Sequence, residues 1–354
     1  MSALTDLSAF SACPIIQAPM AGGGSTPRLA AAVAAAGGLG FLAAGYRTPE
    51  AMGEEVRRLR ELTSRPFGVN LFLPQPPAAD RSAVAAYAGQ LAAEAARYGA
   101  ELGDPDAGAD DAYEAKVAAL LADPVPMVSF TFGCPDPGVL AAFAKAGTYT
   151  VVTVTSPAEA LAAQEAGADA VWVQGVEAGG HQGTHRDDPR LDGSGVDLLT
   201  LVPRVRDAVR LPIVAAGGLM RGGAIAAVLA AGADAAGLGT AFLVCPESGA
   251  SPVHKKALTD PAFPRTELTR AFSGRPARGL LNRFLREHGQ DAPPGYPQVH
   301  HLTSALRRAA AEAGDPHGMA LWAGEGHRLA RELPAGALVE TLAAELRAAR
   351  EAGA

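Results

Sequence analysis

The sequence predicts an α/β fold closed as a (β/α)8 barrel, with a small mostly helical second domain beside it. Three observations carry this expectation. Short apolar or β-branched runs alternate with alanine-rich helical segments, the runs number eight, and the chain continues from Val244 to Ala354 after the last of them. The runs lie at 14–20, 39–44, 67–73, 127–133, 149–155, 170–175, 212–218 and 235–242.

Each intervening helix has a readable start or stop. Thr26-Pro27 and Thr48-Pro49 place a capping hydroxyl before a proline at the first helical position, where a missing N–H costs no intrahelical bond. Ser156-Pro157-Ala158-Glu159 adds the glutamate of a capping box. Leu198, Leu201, Val202, Val205 and Val209 form one apolar stripe at helical period. Ala36-Gly37, Ala146-Gly147, Ala166-Gly167 and Ala231-Gly232 supply glycine where a helix turns left-handed before the next strand. The run Gly37-Gly38-Leu39-Gly40 has the outline of a dinucleotide fingerprint, but it precedes a strand and therefore reads as a helix stop and turn.

Two stretches break the repeat. Residues 74–123 are too long for a βα connection and hold helical patterns of their own at 83–98 and 113–121. Residues 252–323 are polar and rich in Pro, Gly, His and Arg, before Leu338, Leu342 and Leu346 restore an amphipathic helix at 337–349. The expected division is a barrel of 1–75 plus 123–245, with a terminal helix in 326–354 docking back. The expected small cap or substrate domain is 76–122 plus 246–325.

Composition narrows the function classes. A chain of 354 residues that is 48% hydrophobic and 19% charged can bury a large core. A net charge of -7 argues against nucleic acid or a basic membrane-surface patch as partner. Cys13, Cys134 and Cys245 form neither a metal spacing nor a disulfide framework, so a reducing cytoplasm and no metal are expected. The first residues lack an export signal, and the alanine-rich runs are too interrupted to span a membrane.

In such a barrel the chemistry belongs at the carboxyl ends of the strands. The sixth run ends in Gln174 and leads into Gly179-Gly180-His181. Paired glycines bring backbone close to a flat or anionic ligand, and a histidine there can exchange a proton near neutral pH. The seventh and eighth runs end in Gly217-Gly218 and Gly237-Leu238-Gly239-Thr240, the two places where these barrels build phosphate sites. Asn70 and Gln174 carry amides that suit the alternating donors and acceptors of a flavin edge, or else satisfy local backbone. No CxxC, HExxH, P-loop or G-x-S-x-G pattern is present.

Together these residues resemble the nitronate monooxygenase (2-nitropropane dioxygenase) family. The resemblance runs through Gln17-Ala18-Pro19-Met20, Gly37-Gly38-Leu39-Gly40, Pro66-Phe67-Gly68-Val69-Asn70 and Val128-Ser129-Phe130-Thr131-Phe132-Gly133. It continues through Glu177-Ala178-Gly179-Gly180-His181, Ala216-Gly217-Gly218, Gly239-Thr240, Ala271-Phe272-Ser273-Gly274-Arg275 and Trp322-Ala323-Gly324. The Ser-Phe-Thr-Phe-Gly and Phe-Ser-Gly-Arg segments are similar to its class I branch.

The resemblance implies FMN bound by Met20, Asn70, Gln174, Gly179, Gly180, Gly217, Gly218 and Gly237 to Thr240. It implies O2-dependent oxidation of alkyl nitronates, of the propionate 3-nitronate type, to a carbonyl compound and nitrite through one-electron transfer and a flavin semiquinone. His181 would be catalytic, gripping the anion when protonated or deprotonating a nitroalkane when neutral; Ser129, Tyr296 and His300 would line the substrate pocket. The pair His300-His301 and the small Gly237 depart from the family pattern, and His185 reads as solvated. A monomer or homodimer is expected. The alternative is an NAD(P)H-dependent flavin reductase of the enoyl-acyl-carrier-protein reductase or quinone reductase type.

Overall fold

The computed structural model describes residues 7–76, 80–108, 110–187 and 195–353, so the reading of the first six residues lies outside it. Strands β1 (Ile15–Gln17), β2 (Gly40–Ala43), β3 (Phe67–Phe72), β4 (Met127–Thr131), β5 (Tyr149–Val154) and β6 (Ala170–Gln174) occupy the first six expected runs. After a two-residue β7 (Gly180–His181) come β8 (Ile213–Ala216) and β9 (Ala235–Leu238), the seventh and eighth runs, followed by β10 (Thr266–Thr269) and β11 (Ala277–Leu280). The parallel sheet runs β1-β9-β8-β6-β5-β4-β3-β2. Gln17 N donates to Leu39 O at 2.9 Å and Leu39 N to Ile15 O at 3.1 Å, which joins β1 to β2 and closes a (β/α)8 barrel.

Alternation along each strand builds two cores. Ile16, Phe41, Met127, Val151, Trp172 and Val214 point inward and fill the barrel. Their neighbours Ile15, Leu42, Val128, Val152, Val171 and Ile213 point outward against the helices. A Cβ on Gly68 would collide with the Phe41 ring, so that glycine is what lets a phenylalanine fill the layer.

The helices are α1 (Pro27–Ala35), α2 (Pro49–Leu62), α3 (Arg81–Gln90), α4 (Ala92–Arg97), α5 (Tyr113–Ala122), α6 (Pro137–Lys145) and α7 (Pro157–Ala166). They continue as α8 (Leu198–Ala208), α9 (Gly222–Ala230), α10 (Thr240–Leu243), α11 (Pro252–Thr259), α12 (Arg283–His288), α13 (Gln298–Glu312) and α14 (Ala335–Ala352). Thr26, Thr48 and Ser156 cap α1, α2 and α7 as their spacing predicts. Gly37, Gly147, Gly167 and Gly232 all adopt positive φ at helix ends.

Because α10 is a single turn, the eighth helical place is filled from the chain end. α14 packs between α9 and α1 through Ala335, Leu338, Val339, Leu342 and Leu346. A separate apolar core joins Val84, Tyr87 and Leu91 of the insertion to Phe272, Phe284, Val299 and Leu306 of the late segment. The insertion does not act as one unit, however. Val117 and Leu120 of α5 pack in the barrel layer, against α2 and β3.

The β10-β11-β7 sheet is antiparallel and was not expected. Residue 181 pairs with Ala277, nearly a hundred positions away, and a two-residue strand has no periodicity to read.

Candidate active site

At the carboxyl ends of the barrel strands a cavity of about 490 Å3 opens beneath the late segment. Its floor is bare backbone. Gly217 and Gly218 adopt φ 148° and 64°, and a Cβ on Gly218 would press on Glu177 at 3.2 Å. Gly179 lies so close to residues 323–324 that a Cβ there would stand 2.5 Å from Gly324 N. Thr240 Oγ1 accepts from Gly324 N at 2.9 Å, which leaves the hydroxyl hydrogen free to donate. A concave glycine surface with a hydroxyl donor fits a planar, phosphate-bearing group. Met20, Leu238 and Gly239 also border this space. Gly237 borders it too, and a Cβ there would meet the Trp172 ring at 2.5 Å, so its missing side chain makes room for the indole.

His181 stands on the wall of the same cavity. Its main chain is fixed by pairing with Ala277 and by Gln174 Nε2, which donates to His181 O at 3.0 Å. Gln174 Oε1 in turn accepts from Gly183 N at 2.6 Å, so this amide spans the turn. Of the two openings left by the sequence, backbone satisfaction is the one Gln174 fulfils here. Asn70 Nδ2 likewise donates to Ser129 Oγ and Thr131 Oγ1, both at 3.0 Å. Both amides nevertheless border the cavity.

The ring of His181 is held by Ser273, whose Oγ lies 2.9 Å from Nε2. Ser273 donates its own hydrogen to Arg275 O at 3.2 Å, so it accepts from His181 and the imidazole proton sits on Nε2. Nδ1 is then the lone-pair nitrogen. Phe132, Tyr296 and Trp322 surround the ring with centroids at 5.7, 5.6 and 5.4 Å. Burial, and then the positive charges of Arg275 and Arg307, push the His181 pKa down to about 3. The neutral ring is the form this setting favours, and an anion placed beside it would favour the protonated one.

Arg275 organises this corner. It is fully buried, and its Nε donates to Gln182 O at 3.1 Å and its Nη1 to Gln75 Oε1 at 2.8 Å. Its Nη2 donates to both oxygens of Thr184, and the guanidinium lies 4.3 Å over the Phe132 ring. Phe132 itself adopts φ 76°, backbone that a bulky residue takes only where its surroundings impose it.

The remaining expected pocket residues divide. His300 borders the cavity and stacks on Tyr46 at 4.1 Å. Tyr296 touches His181 from the side and donates to Tyr46 Oη at 3.2 Å. Ser129 is a correction. It is fully buried one layer below the mouth, because alternation on β4 puts Met127, Ser129 and Thr131 inward and only Thr131 reaches the cavity. His185 is also not simply solvated, since its Nε2 lies 3.0 Å from Thr153 O. Sequence reasoning passed over Tyr46, Thr131, Phe132, Trp322 and Arg307 as site residues, although Thr131, Phe132 and Trp322 stand inside quoted motifs. Arg307 had a signal, one face of α13 shared with His300 at i, i+7.

A family model described as nitronate monooxygenase matches residues 2–345. The chain belongs to the nitronate monooxygenase family. It is 43% identical to a nitronate monooxygenase of Pseudomonas aeruginosa, over 94% of this chain and 96% of that protein. It is 41% identical to one of Paraburkholderia phytofirmans, over 94% and 92%. Among solved structures, nitroalkane oxidase from Streptomyces ansochromogenes is 67% identical with a TM-score of 0.97, covering 98% of this chain and 99% of that one. FabK from Thermotoga maritima is 28% identical with a TM-score of 0.77, covering 98% and 97%. Members of the nitronate monooxygenase family are flavin-dependent oxidoreductases, and this chain is an enzyme of that type.

Three histidines border the cavity of this family member, and burial lowers all of them: His181 to about 3, His254 to about 4 and His300 to about 2. In an unfolded chain each titrates near ~6.5. As pH falls the unfolded chain takes protons first, so stability is full above that value and declines below it. Between pH 7 and 5.5 we expect a loss on the order of 1 kcal/mol per histidine, seen as a falling Tm. His254→Gln should remove about a third of the slope. A Tm that stays level over this range would contradict the assignment.

Proposed function

We propose that the protein is an FMN-dependent nitronate monooxygenase that oxidises alkyl nitronates, of the propionate 3-nitronate type, with O2 to a carbonyl compound and nitrite. One observation carries the reading: His181, neutral and with Nδ1 free, stands on the wall of the cavity into which both glycine loops open. Gly217, Gly218, Gly239 and Thr240 would hold the phosphate end, through backbone N–H groups and the Thr240 hydroxyl. Met20, Asn70, Gln174, Gly179 and Gly180 would hold the ring system, and Leu238 and Gly237 support them from β9. FMN, when bound, supplies the redox chemistry, taking electrons from the nitronate and passing them to O2.

The protein's own residues do the rest. Nδ1 of His181 takes the α-proton of a nitroalkane, the nitronate charge that develops beside the ring raising its low pKa as the proton arrives, and no proton transfer is needed when the substrate arrives as the nitronate. Phe132, Tyr296 and Trp322 exclude water from the reacting carbon, and Ser273 holds the imidazole in the tautomer that leaves Nδ1 basic.

The test is anaerobic mixing of the purified protein with propionate 3-nitronate, with the flavin spectrum followed and the released flavin identified by mass. The expected result is FMN, a spectral change within the mixing experiment, and nitrite on admitting air. A spectrum unmoved by nitronates but bleached by NADH would replace this reading with the flavin reductase alternative.

A further inference from the structure

We propose that Arg307, with His300 beside it, is a subsite for a carboxylate carried on the substrate at a distance from its nitronate carbon. The proposal rests on the nitronate reading above and adds the residue that selects among nitronates.

Arg307 is the one arginine or lysine among the described residues of the cavity wall, where the other basic groups are histidines held neutral. Its Nε donates to Thr303 Oγ1 at 3.1 Å, and its Nη2 donates to His300 O at 3.0 Å and meets His300 Nδ1 at 3.3 Å. Among the described residues Nη1 has no protein acceptor, and no carboxylate comes within ion-pair reach. Neutral acceptors on Thr303 and His300 are what the described residues set against its charge, while burial works against it.

The other buried or half-buried arginines of this region differ, Arg278 being paired with Glu325 at 3.0 Å. Arg270 is held by Asp187 at 2.6 and 2.7 Å, Arg283 by Glu94 at 2.5 and 2.8 Å, and Arg275 spends its donors on neutral oxygens. A buried cation without a partner is costly, so a cavity that keeps one gains most from an anion placed against it. The planar guanidinium matches the two oxygens of a carboxylate.

His300 adds a second donor. Its Nδ1 faces the arginine, so its hydrogen sits on Nε2, for which the described residues offer no acceptor. The ring cannot drift, because it is stacked on Tyr46 with an interplanar angle of 7°.

The location separates this subsite from both the proton-transfer residue and the phosphate cradle. From His181 to Tyr296 and from Tyr296 to His300 the ring centroids step 5.6 and 6.2 Å, and Arg307 lies against His300. It stands with Tyr46, which follows β2, whereas the glycine loops follow β8 and β9. A substrate with a reacting carbon at His181 and an anionic tail one short chain away would span the two.

The experiment compares Arg307→Met and Arg307→Lys with the wild type on propionate 3-nitronate and on propyl-1-nitronate, alongside calorimetric binding of succinate. We expect R307M to lower kcat/KM for the carboxylated substrate about a hundredfold, mainly through KM, and for the other nitronate several-fold at most. R307K should recover part of the loss, and succinate affinity should fall with it. Equal losses on both nitronates, or none, would overturn the subsite. Arg307-dependent succinate binding by a protein that oxidises no nitronate would uphold the subsite and remove the nitronate reading instead.

Discussion

Replacing His181 by Gln is expected to lower turnover of neutral nitroalkanes by roughly a hundred- to ten-thousand-fold, the range of a positioned general base. Nitronates supplied already ionised should lose far less, because their proton is gone before they bind. The asymmetry follows from the charge state of the ring. With its pKa pushed down to about 3, His181 is neutral near neutral pH, and Nδ1 carries the lone pair. Flavin content should not change, since the glycine cradle is made of backbone and the Thr240 hydroxyl. The measurement is kcat/KM for nitroethane and for its nitronate in both proteins, with bound flavin quantified. Equal activity on nitroethane would remove His181 from the mechanism. Equal losses on both substrates would give it an orienting role instead.

Replacing Arg275 by Met is expected to cost about 3 kcal/mol or more of stability, seen as a Tm lowered by several degrees. The side chain is fully buried, and its guanidinium ties Gln75 to Gln182 and Thr184 across the chain. Without it the buried Gln182 carbonyl and the half-buried Gln75 and Thr184 oxygens lose their donor, and Phe132 loses the cation that lies over its ring. A second effect separates charge from packing. Arg275 is the largest electrostatic contributor to the low His181 pKa, so R275M should move that pKa upward, readable by NMR titration of the ring. Arg275→Lys keeps the charge but loses the fork, and should restore the pKa better than the Tm. A Tm within about a degree of wild type would show that the network around Arg275 does not hold this corner together.

These two residues illustrate how unevenly the sequence discloses the molecule. The barrel strands, the threonine and serine caps and the glycine helix stops were all legible, because each is written within a few consecutive residues by alternation, capping chemistry or the φ that glycine permits. The two glycine loops and His181 were legible for the same reason, as strand ends. Ser129 was misplaced because alternation gives the face of a strand but not the depth along it. Arg275 was visible only as part of a motif, and its role depends on Gln75, Gln182 and Thr184.

By itself, then, the sequence determined the barrel, the end of it at which the cavity opens, and the histidine and glycines that border that cavity. All of these rest on local backbone preferences and on periodicity. Tertiary structure alone decided the pairing of residue 181 with Ala277, the splitting of the insertion between two cores, the neutral state of His181 and the isolation of Arg307 on the cavity wall. The physical reason is that charge state and pairing depend on burial and on neighbours brought together through space, and no spacing along a chain records which distant groups will exclude water from a given side chain.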